Sequence, residues 1–410
     1  MNTFYSLLPA ISFLFSCLSV GCTVPSDSPS PIFSEADSLI EKAVNEEDLP
    51  GAVLLVAQNE EILFHKAYGF AQNFTYKGIP MAQPEPMTTA HQFDLASLTK
   101  VLATTFGIML LLDDGEVELD TPIHQYVPAF SSASKDSVTI RHLLSHTAGL
   151  YPWKPTYYHA TNREETYAYI SSLELASPVG NKRAYSDLGF MLLGYIIESI
   201  SGETLDVFLH RRLYDPLGLT QTAFTPTDGP FAATSHGNPF EKRMVADDNF
   251  GYVCDEDPES FTGWRSYTLK GEVNDGNAYH AHQGIAGHAG LFSTAEEIQT
   301  LLTLLLNDGT WRNQHVIQST TIAEFLTPSQ TGHGLGWAMA APALPVTDPP
   351  EGSFGHTGFT GTFLVAIPNQ ELSIVLLTNR QQTDVGPDGR YMSLTSLRRS
   401  VVAAILNTLE

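Results

Sequence analysis

Strand-forming sequence lies at the two ends of this 410-residue chain and hardly at all between them. Near the N-terminus, residues 51–58 and 62–70 are rich in Val, Leu, Ile and Phe, and Asn59-Glu60-Glu61 between them reads as the turn of an antiparallel hairpin. Near the C-terminus, residues 334–339, 363–367 and 372–377 carry the same kind of pattern, the last two joined by Pro368-Asn369-Gln370. Between 117 and 294, short helical patterns alternate with Pro- and Gly-punctuated loops such as Asp215-Pro216-Leu217-Gly218. A sheet built from both ends of a chain closes only if those ends pair, which leaves the middle as an insertion. The expected class is therefore α/β (α+β): an antiparallel sheet flanked by helices, plus a mainly helical insertion, in one two-lobed unit. Apolar periodicity predicts the main helices at 34–45, 97–112, 188–200, 295–306 and 393–406.

The first residues read as a targeting segment. Residues 7–20 are apolar and are followed by Gly21-Cys22 and a Pro/Ser-rich stretch. This is similar to a bacterial lipoprotein signal over 1–22, cleaved before a lipidated Cys22, with a tether over 23–33 and a folded domain over 34–410. No Lys or Arg precedes the apolar run, and Ser19 stands where such signals usually carry Leu. Lipidation at Cys17, plain secretion or an uncleaved anchor therefore stay open. Export to the periplasm or cell envelope, with membrane association through the lipid, is the expectation. Cys254 is then the only cysteine of the mature body, and its acidic surroundings raise a thiol pKa and oppose nucleophilicity. A net charge of −24 disfavours nucleic acid as a partner, because phosphate neutralisation needs a basic surface.

The chemistry begins at Ser97-Leu98-Thr99-Lys100, placed at the start of a predicted apolar helix. Side chains three apart share a helical face, so the Lys100 ammonium can fold back beside the Ser97 hydroxyl. The helix N-terminus favours negative charge developing at that serine. A second copy of the pattern, Ser132-Ala133-Ser134-Lys135, lies in a polar loop, where its lysine is expected to be solvated and inert. Two further motifs follow: Tyr185-Ser186-Asp187, and His356-Thr357-Gly358 with Phe359 next.

In these three motifs, their order and their helix, loop and strand contexts, the chain resembles the serine β-lactamase and penicillin-binding-protein superfamily. Class C β-lactamases, D-alanyl-D-alanine carboxypeptidases, carboxylesterases and muramyl-peptide amidases belong to it. The resemblance runs from Phe33 to the C-terminus. Stretches 271–278 and 287–293 are similar to the cell-wall amidase and carboxypeptidase-like branch. It implies a β-lactamase-like fold and Ser97 as the nucleophile that forms an acyl-enzyme. Lys100 and Tyr185 would move its proton, and the N–H groups of Ser97 and Phe359 would form the oxyanion hole. Asp187, His356, Thr357 and Gly358 would line the substrate site. No cofactor is implied, and the substrate is a small molecule or a peptidoglycan fragment.

Two positions depart from the superfamily pattern. Asp187 replaces Asn, and its charge would keep Lys100 protonated, leaving open whether Lys100 or Tyr185 is the base. His356 replaces Lys, so the site is expected to lose a fixed cation and to handle carboxylate-bearing substrates such as penicillins poorly. His280-Ala281-His282 and His288 could suggest zinc, but they read better as structural residues, and no metal is assigned. The expected function is a muramyl-peptide amidase or D-peptidase, with a carboxylesterase, a true β-lactamase and a non-catalytic sensor domain as alternatives.

Overall fold

The computed structural model describes residues 31–46, 49–383 and 385–409, together with Met1. The expected signal, Cys17 and Cys22 lie outside the described residues.

Helix α1 (Ser34–Glu46) leads into strands β1 (Gly51–Gln58), β2 (Glu61–Thr75) and β3 (Ile79–Pro86). Asn59 and Glu60 both adopt positive φ, 51° and 65°, so a two-residue turn gives the hairpin the twist its strands need. β2 runs past its expected end, and β3 occupies what reads in the sequence as a proline-rich loop. Prolines are tolerated there because β3 is an edge strand, whose outward side needs no N–H partner. From the other end of the chain come β4 (Phe354–Thr357), β5 (Phe363–Ile367) and β6 (Leu372–Thr378). The sheet order is β4-β5-β6-β1-β2-β3, antiparallel throughout, and the two ends meet where Val53 faces Leu377 and Leu55 faces Val375.

Alternation along β1 feeds two cores. Ala52, Leu54 and Val56 pack with Ile40 of α1 and with Val402 and Ile405 of the C-terminal helix Thr395–Leu409. Val53, Leu55 and Ala57 join the other core with Phe106 and with Ile298 and Leu302 of the helix Ala295–Leu306. Each fully buried Val or Leu contributes about 1.5–3 kcal/mol, enough in sum to hold both chain ends in one sheet. The expected antiparallel sheet with helices on its faces is what forms.

Two local expectations are corrected. Residues 334–339 form isolated bridges and no strand, because Gly336 turns the chain at φ 87°. The helix expected over 97–112 contains a π-helical turn, Lys100–Thr104, before α2 (Thr105–Asp113). The apolar stretch that follows α3 (Asp187–Ser201) breaks after Leu209 into another π-helical turn. α3 opens on Ser186, whose hydroxyl accepts the Gly189 N–H, and closes on Gly202 in the left-handed region. A small three-stranded sheet of Phe93–Asp94, Leu291–Ser293 and Ala223–Phe224 leads the chain into Ser97.

Candidate active site

Ser97 sits on a strained corner. Ala96 before it has φ 46°, a conformation that costs a residue with a Cβ about 1–2 kcal/mol. Asp94 holds the corner: one carboxylate oxygen accepts the Ala96 N–H at 2.8 Å and the other accepts the Asn274 N–H at 2.6 Å. Burial pushes this carboxyl up to about 6. The turn after β4 is clamped onto the same segment. The Thr360 hydroxyl donates to the Asp94 carbonyl at 2.7 Å, and the Thr362 hydroxyl donates to the Leu95 carbonyl at 3.1 Å. A Cβ on Gly358 would lie 2.4 Å from the Leu95 oxygen, so only glycine lets the turn approach this closely. The clamp brings Phe359 beside Ser97, and neither backbone N–H has an acceptor among the described residues. Two free donors beside one hydroxyl are what an oxyanion hole requires.

Lys100 is fully buried, and its Nζ makes two hydrogen bonds and one ion pair. Nζ lies 3.1 Å from Ser97 Oγ, 2.9 Å from the His288 carbonyl oxygen and 2.7 Å from Asp187 Oδ1. Burial alone would lower its pKa. The adjoining Asp187 carboxylate and Tyr185 outweigh burial and hold Lys100 above the ordinary lysine value, so it is an ammonium ion at rest. Nζ also lies 5.0 Å from the centre of the Tyr185 ring. The Tyr185 hydroxyl is buried and has no hydrogen bond of ordinary geometry. Burial raises its pKa; Lys100 opposes the rise and Asp187 adds to it, so Tyr185 rests as the neutral phenol.

Neighbouring histidines position these groups. His146 stacks on Tyr185 at 4.5 Å, and its Nδ1 accepts the Ser186 N–H at 3.0 Å. Burial keeps this ring neutral, and therefore an acceptor. His288, whose carbonyl oxygen accepts from Lys100, meets Asp275 Oδ1 through Nε2 at 2.9 Å. The other histidines of the zinc reading go elsewhere: His280 packs against Tyr157 and Phe261, and His282 meets the Tyr195 hydroxyl at 2.5 Å.

Two cavities open on Ser97, Tyr185 and Phe359. One is a basic groove of roughly 850 Å³ past His356 and Thr357, lined by Arg183, Arg380 and Arg398. None of these arginines is ion-paired with a carboxylate among the described residues. Arg380 donates to the Phe359 and Met392 carbonyls, and Arg398 donates to that of Thr362. Burial pushes Arg398 down to about 9 and Arg380 to about 10, the direction expected of cations short of a counter-anion. His356 itself is neutral, because burial takes its pKa down to about 3. The expected loss of fixed positive charge is thus corrected: arginines from three separate segments supply it. The other cavity, an aromatic and acidic chamber, lies beside Asp187.

The second Ser-x-x-Lys copy stays outside the site, though not for the expected reason. Lys135 is not solvated; it is buried and donates to the Ser171 carbonyl at 2.6 Å, while the exposed Ser132 meets only Ser134 and its own loop. Cys254 is half-buried beside an aromatic cluster that includes Trp153 and Tyr252, and it lines neither cavity that opens on Ser97.

Residues 36–396 match the family model described as Beta-lactamase. The chain belongs to the beta-lactamase family. Among curated proteins, this beta-lactamase-family chain is 33% identical to the N-acetylmuramyl-L-alanine amidase of Bacillus subtilis (strain 168), over 86% of its own length and 81% of the relative's. It is 31% identical to an Escherichia coli (strain K12) protein provisionally named D-alanyl-D-alanine carboxypeptidase, over 90% of both chains. Among solved structures, EstCE1, a hydrolase with promiscuous acyltransferase activity, superposes with a TM-score of 0.67 at 22% identity, covering 91% of this chain and 98% of that one. A penicillin-binding protein homologue from Caulobacter crescentus superposes at 0.65, with 20% identity, over 92% and 98%. These structures establish the shared fold, and the chain is a serine hydrolase of the β-lactamase and penicillin-binding-protein superfamily.

Proposed function

We propose that this hydrolase is a cell-envelope amidase that cleaves the bond between the lactyl carbonyl of an N-acetylmuramyl unit and the first amino acid of its peptide. Ser97 Oγ bonds to the carbonyl carbon, the C–N bond breaks, and the amine leaves with a proton delivered through Lys100 and Tyr185. Water then attacks the ester, releasing the carboxylic acid and regenerating Ser97. The basic groove carries this reading. Unpaired Arg183, Arg380 and Arg398 beside Ser97 suit a leaving group that bears carboxylates, as the acidic peptide does. Similarity to the B. subtilis amidase supports the same reaction class.

The deciding assay is amine release from N-acetylmuramyl-L-alanyl-D-glutamate, compared with hydrolysis of p-nitrophenyl butyrate. kcat/KM for the peptide is expected to exceed that for the ester. Arg183→Gln is expected to raise KM for the peptide about tenfold, by loss of a charge-assisted contact, and to leave KM for the ester nearly unchanged. Efficient ester hydrolysis with no amine release would instead identify a carboxylesterase.

Export and anchoring belong to the same proposal. The apolar run before Cys22 and the Pro/Ser tether support acylation at that cysteine. Labelled palmitate is expected to enter the full chain and not Cys22→Ala; incorporation that persists in the variant would move the site to Cys17.

A further inference from the structure

A carbonyl held at Ser97 has one substituent on each side, and the two cavities differ in what they can accept. The chamber encloses roughly 800 Å³, counting the space open at its mouth, within the usual range for small-molecule sites. Its walls alternate aromatic faces, from Trp153, Phe240 and Tyr252, with the carboxyl groups of Asp187, Glu241 and Asp275.

Most of that acidity is answered internally. Asp187 pairs with Lys100 at 2.7 Å, and Asp275 meets His288 at 2.9 Å and the Ala278 N–H at 2.8 Å. Glu241, on the short helix Pro239–Ala246, is only 9% exposed. Its Oε2 accepts from the Gly276 N–H at 3.0 Å and from Asn238 Nδ2 at 3.3 Å, while Oε1 has no hydrogen bond of ordinary geometry. Burial and the neighbouring Asp275 charge lift this carboxyl well above the usual carboxylate range, against the pull of Arg265 and Tyr157. A protonated carboxyl both donates and accepts, which suits a neutral partner. Aromatic faces beside such groups match a pyranose, whose C–H faces are apolar and whose edge carries hydroxyl and acetamido groups.

We infer that this chamber is the acyl-side subsite, that it receives a neutral, N-acetylated amino-sugar ring, and that Glu241 is a specificity-determining residue within it. The inference rests on the amidase reading. It gives the two cavities opposite tasks: the uncharged sugar lies against the aromatic chamber, and the anionic peptide lies along the arginines.

The test compares kcat/KM for L-alanine release from N-acetylmuramyl-L-alanine and from D-lactoyl-L-alanine, which keeps the scissile bond and lacks the sugar. The wild-type protein is expected to prefer the sugar-bearing substrate by about a hundredfold. Glu241→Leu is expected to cut that preference at least about tenfold. Glu241→Gln, a neutral donor and acceptor of the same shape, should keep it within about threefold. Equal wild-type turnover of the two substrates would overturn the subsite. Loss of preference in the Gln variant as complete as in the Leu variant would overturn the neutral-ligand assignment in favour of a cationic group. If neither compound is cleaved while p-nitrophenyl esters are, the amidase reading fails, and calorimetry of N-acetylmuramic acid on Ser97→Ala judges the chamber separately. Binding that weakens when Glu241→Leu is added sustains it; no binding at concentrations on the order of 10 mM overturns it.

Discussion

Ser97→Ala is expected to lower kcat/KM on any substrate by about 10⁴-fold or more while leaving the fold intact. The substitution removes the only atom that bonds to the acyl carbon, and losing a nucleophile outright disables the machinery built around it. Structural damage should be slight. Ser97 is half-buried, and its loss removes one of the two hydrogen bonds of Lys100; the bond to the His288 carbonyl and the ion pair with Asp187 remain. Thermal unfolding should therefore shift by no more than about 1 kcal/mol in stability. A fluorophosphonate should add one mass increment to the wild type and none to the variant. An adduct that survives in Ser97→Ala and maps to Ser132 would show that the wrong serine has been assigned.

The residues legible in the sequence are those whose function depends on local spacing. Ser97 and Lys100 meet because they are three apart on one helical run, and the structure brings them to 3.1 Å. Tyr185, Asp187, His356 and Phe359 stand out as short motifs in loop and strand contexts, and the fold gathers them around that pair. What supports them is long-range and leaves little local trace. Asp94 looks like an ordinary polar residue before the motif, yet it ties Ala96 to Asn274, 180 positions away. Arg183 comes from the loop before α3, Arg380 from the turn just after β6 and Arg398 from the C-terminal helix, so only the folded chain brings the three together. For that reason the loss of a lysine at His356 could be read from the sequence and its replacement could not. Lys135 shows the same limit in reverse: its neighbours over 131–137 are mostly polar, and the carbonyl that accepts from it, that of Ser171, comes from another segment. The two-sided sheet was legible because Val and Leu fill both faces of β1, whereas 334–339 failed as a strand through the backbone preference of Gly336.

The second large effect concerns pH. Asp187 and Tyr185 hold Lys100 above its ordinary value against burial, and burial raises Tyr185 in turn. Neither is in its basic form near neutrality, and His356, at about 3, is too weak a base to replace them. The proton on Ser97 therefore finds an acceptor only as the Lys100–Tyr185 pair loses one, and the apparent pKa belongs to the pair. As pH rises toward it, the reactive fraction grows tenfold per unit, so kcat/KM should climb about a hundredfold between pH 7 and pH 9. An amide substrate suits the measurement because its background hydrolysis is negligible there. Asp187→Asn removes the carboxylate that raises both groups while keeping an oxygen acceptor for Nζ. Burial then governs Lys100 and lowers it, so the rising limb should move to lower pH, and kcat/KM at pH 7 should increase about tenfold. A wild-type profile that is flat from pH 7 to pH 9 would place the working pKa below neutrality and remove Asp187 from the control of Lys100. A limb that stays in place in Asp187→Asn would do the same, since the carboxylate 2.7 Å from Nζ would then exert no hold on the proton.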